Sequence, residues 1–244
     1  MKYKILTVTF YILFFTKALP QDVNLELKKG MVVSFIASHF HSPEAKQNAG
    51  AYFEKMFPLA QKHSFTPLVQ FNTLELQQNH FMASALGIYS WDSQKHFDAF
   101  HNEESWPELK STRPLYWKNL RSVHITIKED RTLRFYSDKV YRITYIWLHQ
   151  FENSSENLEK YVSPMRKVID RLGARYIVTF DSSELKSMSN LNNDRIPDRI
   201  AITEWPDIDT HKQYISSPEF KEYSKFFFSA IAEFEAFNTA AIIN

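Results

Sequence analysis

Two stretches of this chain repeat each other without a gap. Residues 82–127 superpose on residues 196–241 at an offset of 114, which sets Trp91 on Trp205, Phe97 on His211, Phe100 on Tyr214 and Trp106 on Phe220. A second block, from Tyr52 to Phe71, superposes on Tyr161 to Phe180 at an offset of 109. A repeat of this length means that one supersecondary unit is built twice, and it decides the architecture before any local propensity is consulted.

Each copy reads strand, helix, strand, strand, helix, strand. In the second, Val140 to Phe151 is rich in β-branched and aromatic residues and reads as a strand. Asn153-Ser-Ser-Glu156 opens a helix whose buried face is Tyr161, Met165, Val168, Ile169 and Leu172, and Gly173 ends it. Strands follow at Arg175–Phe180 and Arg199–Trp205, separated by a polar loop from Ser182 to Ile196. Asp207 to Thr210 caps a helix that breaks near Ser216-Ser-Pro218 and resumes through Phe237, before a closing strand at Asn238–Ile243. The first copy matches it: a strand at Met31–Phe40 set on Arg142–Phe151, a helix through Tyr52 and Met56, strands at Phe65–Glu75 and Met82–Trp91, a helical region from Ser93 to Leu120 broken near Pro107 and Pro114, and a closing strand at Val123–Lys128. A βαββαβ unit is ferredoxin-like and carries its helices on one face of the sheet only. The other face needs a cover. Two units pressed sheet to sheet supply it, so the expected fold class is α+β: two ferredoxin-like repeats, residues 31–128 and 132–244, fused into one α/β barrel.

The ends and the composition restrict the setting. Met1-Lys-Tyr-Lys4 followed by the apolar run Ile5–Phe15 and Thr16-Lys17-Ala18 reads as an export signal over residues 1–18, too short to span a bilayer; residues 19–30 are then an N-terminal extension. The expected location is therefore periplasmic or secreted, with no membrane insertion after signal removal. Zero cysteines exclude disulfides, thiolate metal sites and a cysteine nucleophile. A net charge of +1 with evenly spread signs argues against a nucleic-acid partner.

The stretches Ile200-Ala-Ile-Thr-Glu-Trp-Pro206 with Tyr214-Ile-Ser-Ser-Pro-Glu-Phe220, and Ile88-Tyr-Ser-Trp91 with Phe97-Asp-Ala-Phe100 and Glu104-Ser-Trp106, resemble the dimeric α+β barrel superfamily. That group includes antibiotic-biosynthesis-type monooxygenases, heme-degrading monooxygenases, muconolactone-isomerase-like enzymes and stress-responsive barrel proteins. The resemblance covers about residues 31–244 and implies the fold more than a reaction. In the heme-degrading members the axial histidine lies ten residues after the aromatic that aligns with Phe100 and Tyr214. Those positions are Lys110 and Ser224 here, so the heme ligand does not carry over. No cofactor is expected.

Alternation along the first strands assigns Val33, Phe35 and Ala37 to the helix side. It leaves Ser34, Ile36 and Ser38 facing the barrel interior, opposite Ile143, Tyr145, Trp147 and His149. That mismatch predicts one interior pocket biased toward the second copy, with core filling by Tyr145 and Trp147 as the competing reading. His149, Tyr145 and Glu204 are the candidate acid–base groups, with Glu204 pointing opposite to Trp205. Trp147, Ser34, Ser38, His39 and Trp205 are the candidate ligand contacts. His39 and His41 have the spacing of two ligands on one strand face, but no third ligand stands at a diagnostic spacing, so no metal is expected.

Two function classes follow. One is an exported small-molecule-binding barrel that acts as a cofactor-independent enzyme of isomerase, lyase or monooxygenase type on a small organic substrate. The other is a non-catalytic exported binding or interaction module. A barrel already closed within one chain predicts a monomer or a weak homodimer.

Overall fold

The computed structural model describes residues 22–74, 81–190 and 195–243; the basic and apolar segment read as an export signal lies outside them. The chain opens on β1 (Asp22–Leu27). The first unit follows as β2 (Val32–Phe40), α1 (Pro43–Asn48), α2 (Gly50–Gln61), β3 (Phe65–Thr73), β4 (Ala85–Trp91), α3 (Gln94–His101), α4 (Trp106–Ser111) and β5 (Trp117–Thr126). After β6 (Arg131–Tyr136) the second unit is β7 (Val140–Leu148), α5 (Ser154–Arg171), β8 (Arg175–Asp181), β9 (Leu185–Asn190), β10 (Arg199–Trp205), α6 (Ile208–Ser216), α7 (Pro218–Ala230) and β11 (Ile231–Ile242).

Short side chains start α1, α3, α6 and α7. Ser42 Oγ accepts from Ala45 N, Ser93 Oγ from His96 N, Asp207 Oδ1 from Thr210 N and Ser217 Oγ from Phe220 N, each satisfying a first-turn donor that has no partner within the helix. Gly173 stops α5 at φ +69°, the left-handed region that favours glycine.

The strands of the two units form a single nine-stranded sheet in the order β8-β10-β7-β11-β3-β4-β2-β5-β9. Antiparallel pairing of β11 with β3 joins the units, with Ala241 opposite Phe71. At the other edge, the turn Ser182–Glu184 leads β8 into β9, and β9 pairs with β5. Glu184 O also accepts from Thr126 N at 3.0 Å. The sheet thus rolls into an α+β barrel with the helices outside. Phe35 meets Phe180 across the interior at a ring distance of 5.7 Å.

Two inward faces build the barrel core: Val33, Phe35 and Ala37 from β2, and Tyr141, Ile143, Tyr145 and Trp147 from β7. The expected parity therefore holds for β7 and is reversed for β2, where Ser34, Ile36 and Ser38 face the helices. The pairing registers show why. Val32 lies opposite Trp91, and Val140 lies opposite Trp205, so the first strands correspond at an offset of 108 (32 against 140) and not 111 (31 against 142). An odd slip moves every side chain of a strand to the other face.

Three further differences are local. The expected extension contains β1, which pairs with β6 at the end of the inter-unit link and the start of the second repeat, Leu25 opposite Leu133. This ribbon sends Leu25, Leu27, Leu133 and Phe135 into the barrel core, where Phe135 meets Phe71 at 5.4 Å and Tyr141 at 5.0 Å. The expected loop after Ser182 contains β9, and the last helix ends at Ala230, so that Phe234 and Phe237 belong to β11. At the equivalent positions 121 and 235, an Arg121–Glu235 ion pair sits buried inside the barrel, with the guanidinium 4.2 Å from the Phe81 ring centre and 5.3 Å from that of Trp147. Among the described residues no helix is long and apolar enough to cross a membrane.

Candidate functional site

Each unit leaves a cavity between its helices and the outer face of its sheet, of about 380 Å³ in the first and about 400 Å³ in the second. The barrel interior, by contrast, is filled by side chains.

The floor of the first cavity is a cross-strand pair, Ser34 on β2 opposite His124 on β5. Ser34 Oγ lies 2.8 Å from His124 Nδ1 and accepts from Trp91 Nε1 at 3.3 Å. On the other side of the ring, His124 Nε2 lies 3.3 Å from Ser122 Oγ. Burial pushes the His124 imidazolium down to about 3, helped by the positive charges of its surroundings, so the ring is neutral.

A second imidazole, His101 at the end of α3, lines the same cavity, its ring centre 6.1 Å from that of His124. His101 Nδ1 is 2.8 Å from the carbonyl oxygen of Phe97. A carbonyl can only accept, so Nδ1 carries the proton and Nε2 keeps its lone pair. Burial first, then Arg113 and Lys110, lower the pKa of His101 and favour this neutral form. Arg113 completes the set: its Nε donates to Tyr52 Oη at 2.9 Å and its guanidinium lies 4.7 Å from the Trp106 ring centre. Phe53, Phe57, Phe65 and Tyr89 supply aromatic walls. Such a chamber can hold a flat organic molecule against a neutral base and a fixed positive charge.

The second cavity has the same frame and different polar groups. Its floor pair is Arg142 on β7 opposite Asn238 on β11, at the positions of Ser34 and His124, and Arg142 Nη1 donates to Asn238 Oδ1 at 3.1 Å. Tyr161 and Tyr214 share a hydroxyl hydrogen bond of 2.6 Å above it. His211 replaces Phe97 and is held neutral, pushed down to about 3 by burial and by Arg142. Both Trp205 Nε1 and His211 Nε2 are buried without a hydrogen-bond partner.

The residues singled out from the sequence scatter over this frame. Ser34 and Ser38 line the first cavity and Trp205 the second. Tyr145 and Trp147 lie inside the barrel: the Tyr145 hydroxyl is buried without a hydrogen-bond partner and Trp147 Nε1 donates to Arg195 O at 2.7 Å. Glu204 does point opposite to Trp205, but it is engaged by Arg175 through Nε at 2.8 Å and Nη2 at 3.1 Å and accepts from Tyr141 Oη. His149 stacks on the exposed Phe151 beyond the end of β7, and His39 Nδ1 is buried without a partner near the end of β2. His149, Tyr145 and Glu204 are therefore not brought together. Among the described residues no group of three or more His, Asp or Glu stands ready for a metal.

His124 and Asn238, which differ in character, fall on the 114-residue offset and could have been read from the sequence. The Ser34–Arg142 difference was hidden by the slipped strand register. His101, Arg113 and Tyr52 come from separate elements, and no spacing announces them.

No protein-family model matches the chain, and no curated protein resembles it in sequence. Solved structures do. An anthrone oxidase-like protein shares 11% identity at a TM-score of 0.61, over 90% of this chain and 94% of its own. A putative monooxygenase from Fusobacterium nucleatum shares 14% identity at a TM-score of 0.47, over 88% and 94%. A mutant chlorite dismutase from Candidatus Nitrospira defluvii shares 9% at 0.48, over 88% and 92%. At these identities the likeness concerns the backbone alone, and together with the strand order it makes this chain a dimeric-type α+β barrel.

Proposed function

We propose that the chain is a cofactor-independent enzyme acting on a small aromatic molecule in the first cavity, with His101 as the base. One observation carries the reading: a neutral imidazole with a free Nε2 lone pair shares an aromatic chamber with Arg113. Abstraction of an acidic C–H or O–H proton by Nε2 leaves an enolate or phenolate. The guanidinium, already oriented by Tyr52, holds the new negative charge. Isomerisation, elimination and cofactor-free oxygenation all begin with such a proton loss. The similarity in fold to an anthrone oxidase-like protein makes a polycyclic ketone or phenol the first compound to try.

The test is solvent deuterium exchange into a panel of such compounds, followed by NMR. Wild-type protein is expected to catalyse exchange, and His101→Asn to slow it by about 10²–10⁴-fold while binding persists. Undiminished exchange in His101→Asn removes His101 from the role. Binding without any exchange in the wild type favours the non-catalytic binding module. Oxygen consumption separates an oxygenase from an isomerase or lyase.

The same proposal includes export, on the strength of the basic and apolar first 18 residues, and a monomer or weak homodimer, because β11 and β3 already join the two units within one chain. Amino-terminal sequencing of the mature protein and light scattering check these two points.

A further inference from the structure

We propose that the second cavity is a separate binding site for an amphipathic organic acid, whose carboxylate pairs with Arg142.

Arg142 is a half-buried cation on the cavity floor, with no carboxylate counter-ion among the described residues. Its hydrogen bond goes to the neutral Asn238 amide, and the polar groups that act on its charge are the hydroxyls of Tyr161 and Tyr214. Among the described residues no carboxylate forms an ion pair with it. Burial draws its pKa down to about 10, which still leaves it fully charged at neutral pH. A partly buried charge with no counter-ion is costly, and a guanidinium offers a planar fork that fits a carboxylate with two parallel bonds.

A second, independent sign is the orphaned indole of Trp205. In the first unit the equivalent Trp91 Nε1 donates to Ser34 Oγ at 3.3 Å. Arg142 stands in place of that serine and has no acceptor to offer, and Trp205 Nε1 is buried without one. A carboxylate beside Arg142 brings the missing acceptor to this corner, next to the cation it neutralises. The first cavity, with Ser34 and a neutral His124 on its floor, has no such requirement.

The remaining lining sets the body of the ligand. Arg142, Arg166 and Arg199 face this cavity against one acidic residue, Glu159, which is 3.3 Å from Arg199. The local charge is thus positive in a chain whose overall charge is only +1. At about 400 Å³ the chamber is far larger than an inorganic anion needs. Phe228 is 56% exposed and Phe234 36%, and both line it, so its rim is apolar and open to solvent. An acid head inside and an apolar body running out past these two rings matches that polarity.

The test uses calorimetric titration of the full chain with 2-naphthoate and decanoate, beside their methyl esters as neutral counterparts. Both acids are expected to bind at least about ten-fold more tightly than their esters. Arg142→Met should abolish that preference while the protein keeps its cooperative thermal unfolding. Arg142→Lys, which keeps the charge and loses the fork, should fall between. Arg113→Met in the first cavity should leave the preference intact, which separates this site from the proposed active site. Esters binding as well as acids, no binding by either, or an acid preference that survives Arg142→Met or vanishes in Arg113→Met would overturn the assignment. If Arg142→Met does not fold, the same comparison is read on Arg142→Lys, and an undiminished acid preference there counts against the bidentate site.

Discussion

A single missing methyl shapes the first cavity. A Cβ built on Gly87 would stand 2.6 Å from Cε2 and the hydroxyl of Tyr89, two residues along the same strand. The tyrosine ring lies over the glycine, its centre 5.3 Å from that of Phe65, and forms part of the cavity wall. Gly87→Ala must displace this ring. A cost of about 1–3 kcal/mol in unfolding free energy is expected, with weakened ligand binding in the first cavity and none in the second. Tyr89→Leu added to Gly87→Ala should restore the stability and not the affinity. Histidine provides the pH dependence. His124 and His211 are neutral in the fold with pKa values near 3, and each takes up a proton near 6.5 once unfolded. Below that pH the unfolded chain binds more protons, so stability falls as pH drops from about 6.5 toward 3, by up to about 1.4 kcal/mol per unit for each ring. His211→Phe copies the residue that the first unit has at Phe97, and should reduce the slope between pH 6.5 and 5 by about 1 kcal/mol per unit. Denaturant titrations across that range measure it, and an unchanged slope means that His211 is not held neutral.

At the scale of elements, the joint between α6 and α7 shows how a cap can serve a cavity. Ser217 Oγ accepts from Phe220 N at 3.1 Å and donates to Tyr214 O at 2.8 Å, so one hydroxyl sets the angle between two helices. That angle brings Tyr214 and Phe220 together at 5.4 Å beside Tyr161. Ser217→Ala should cost about 1 kcal/mol, a fall of about 2–4 °C in melting temperature, and loosen binding in the second cavity. Helix joints of this kind were readable: Ser216-Ser-Pro218 announces the break, and the tryptophan, tyrosine and phenylalanine anchors of the repeat come out at equivalent places. The strands were less so. β9 and the β1–β6 ribbon are held by partners distant in sequence, and strand preference reflects such packing more than composition. β2 reads as a strand, but the repeat offset of 111 sets it three residues out of register, which exchanges its faces and turns the candidate residues toward the barrel. The candidate site is thus legible in the frame of aromatics that the two units share and hidden in its chemistry, because the polar groups of each cavity arrive from the floor strands and the helices at once.

At the scale of the whole molecule, the barrel is sealed by hydrophobic packing and crossed by an ion pair. Arg121 reaches from β5 of the first unit to Glu235 on β11 of the second. Replacing Arg121 by Met leaves Glu235 buried without its guanidinium partner, and should cost about 3–5 kcal/mol. The double variant Arg121→Met, Glu235→Leu should recover most of that loss. Urea unfolding of the three proteins gives the comparison, and an Arg121→Met chain as stable as the wild type would show that the pair does not hold the halves together.

The positions of this pair say something about symmetry. Residues 121 and 235 correspond under the 114-residue offset, so the two units meet there at a pseudo-two-fold axis, where equivalent residues face one another. In a dimer of identical chains a residue on the axis meets its own copy, which here would set arginine on arginine or glutamate on glutamate. Opposite charges at that point require the two halves to differ, as they do within this one chain. Neither half can then substitute for the other, and a barrel assembled from two copies of either would carry a like-charge contact at its centre. The same freedom allows Ser34 with His124 on one cavity floor and Arg142 with Asn238 on the other: one molecule can present two chambers with different tastes, which an exact dimer cannot do.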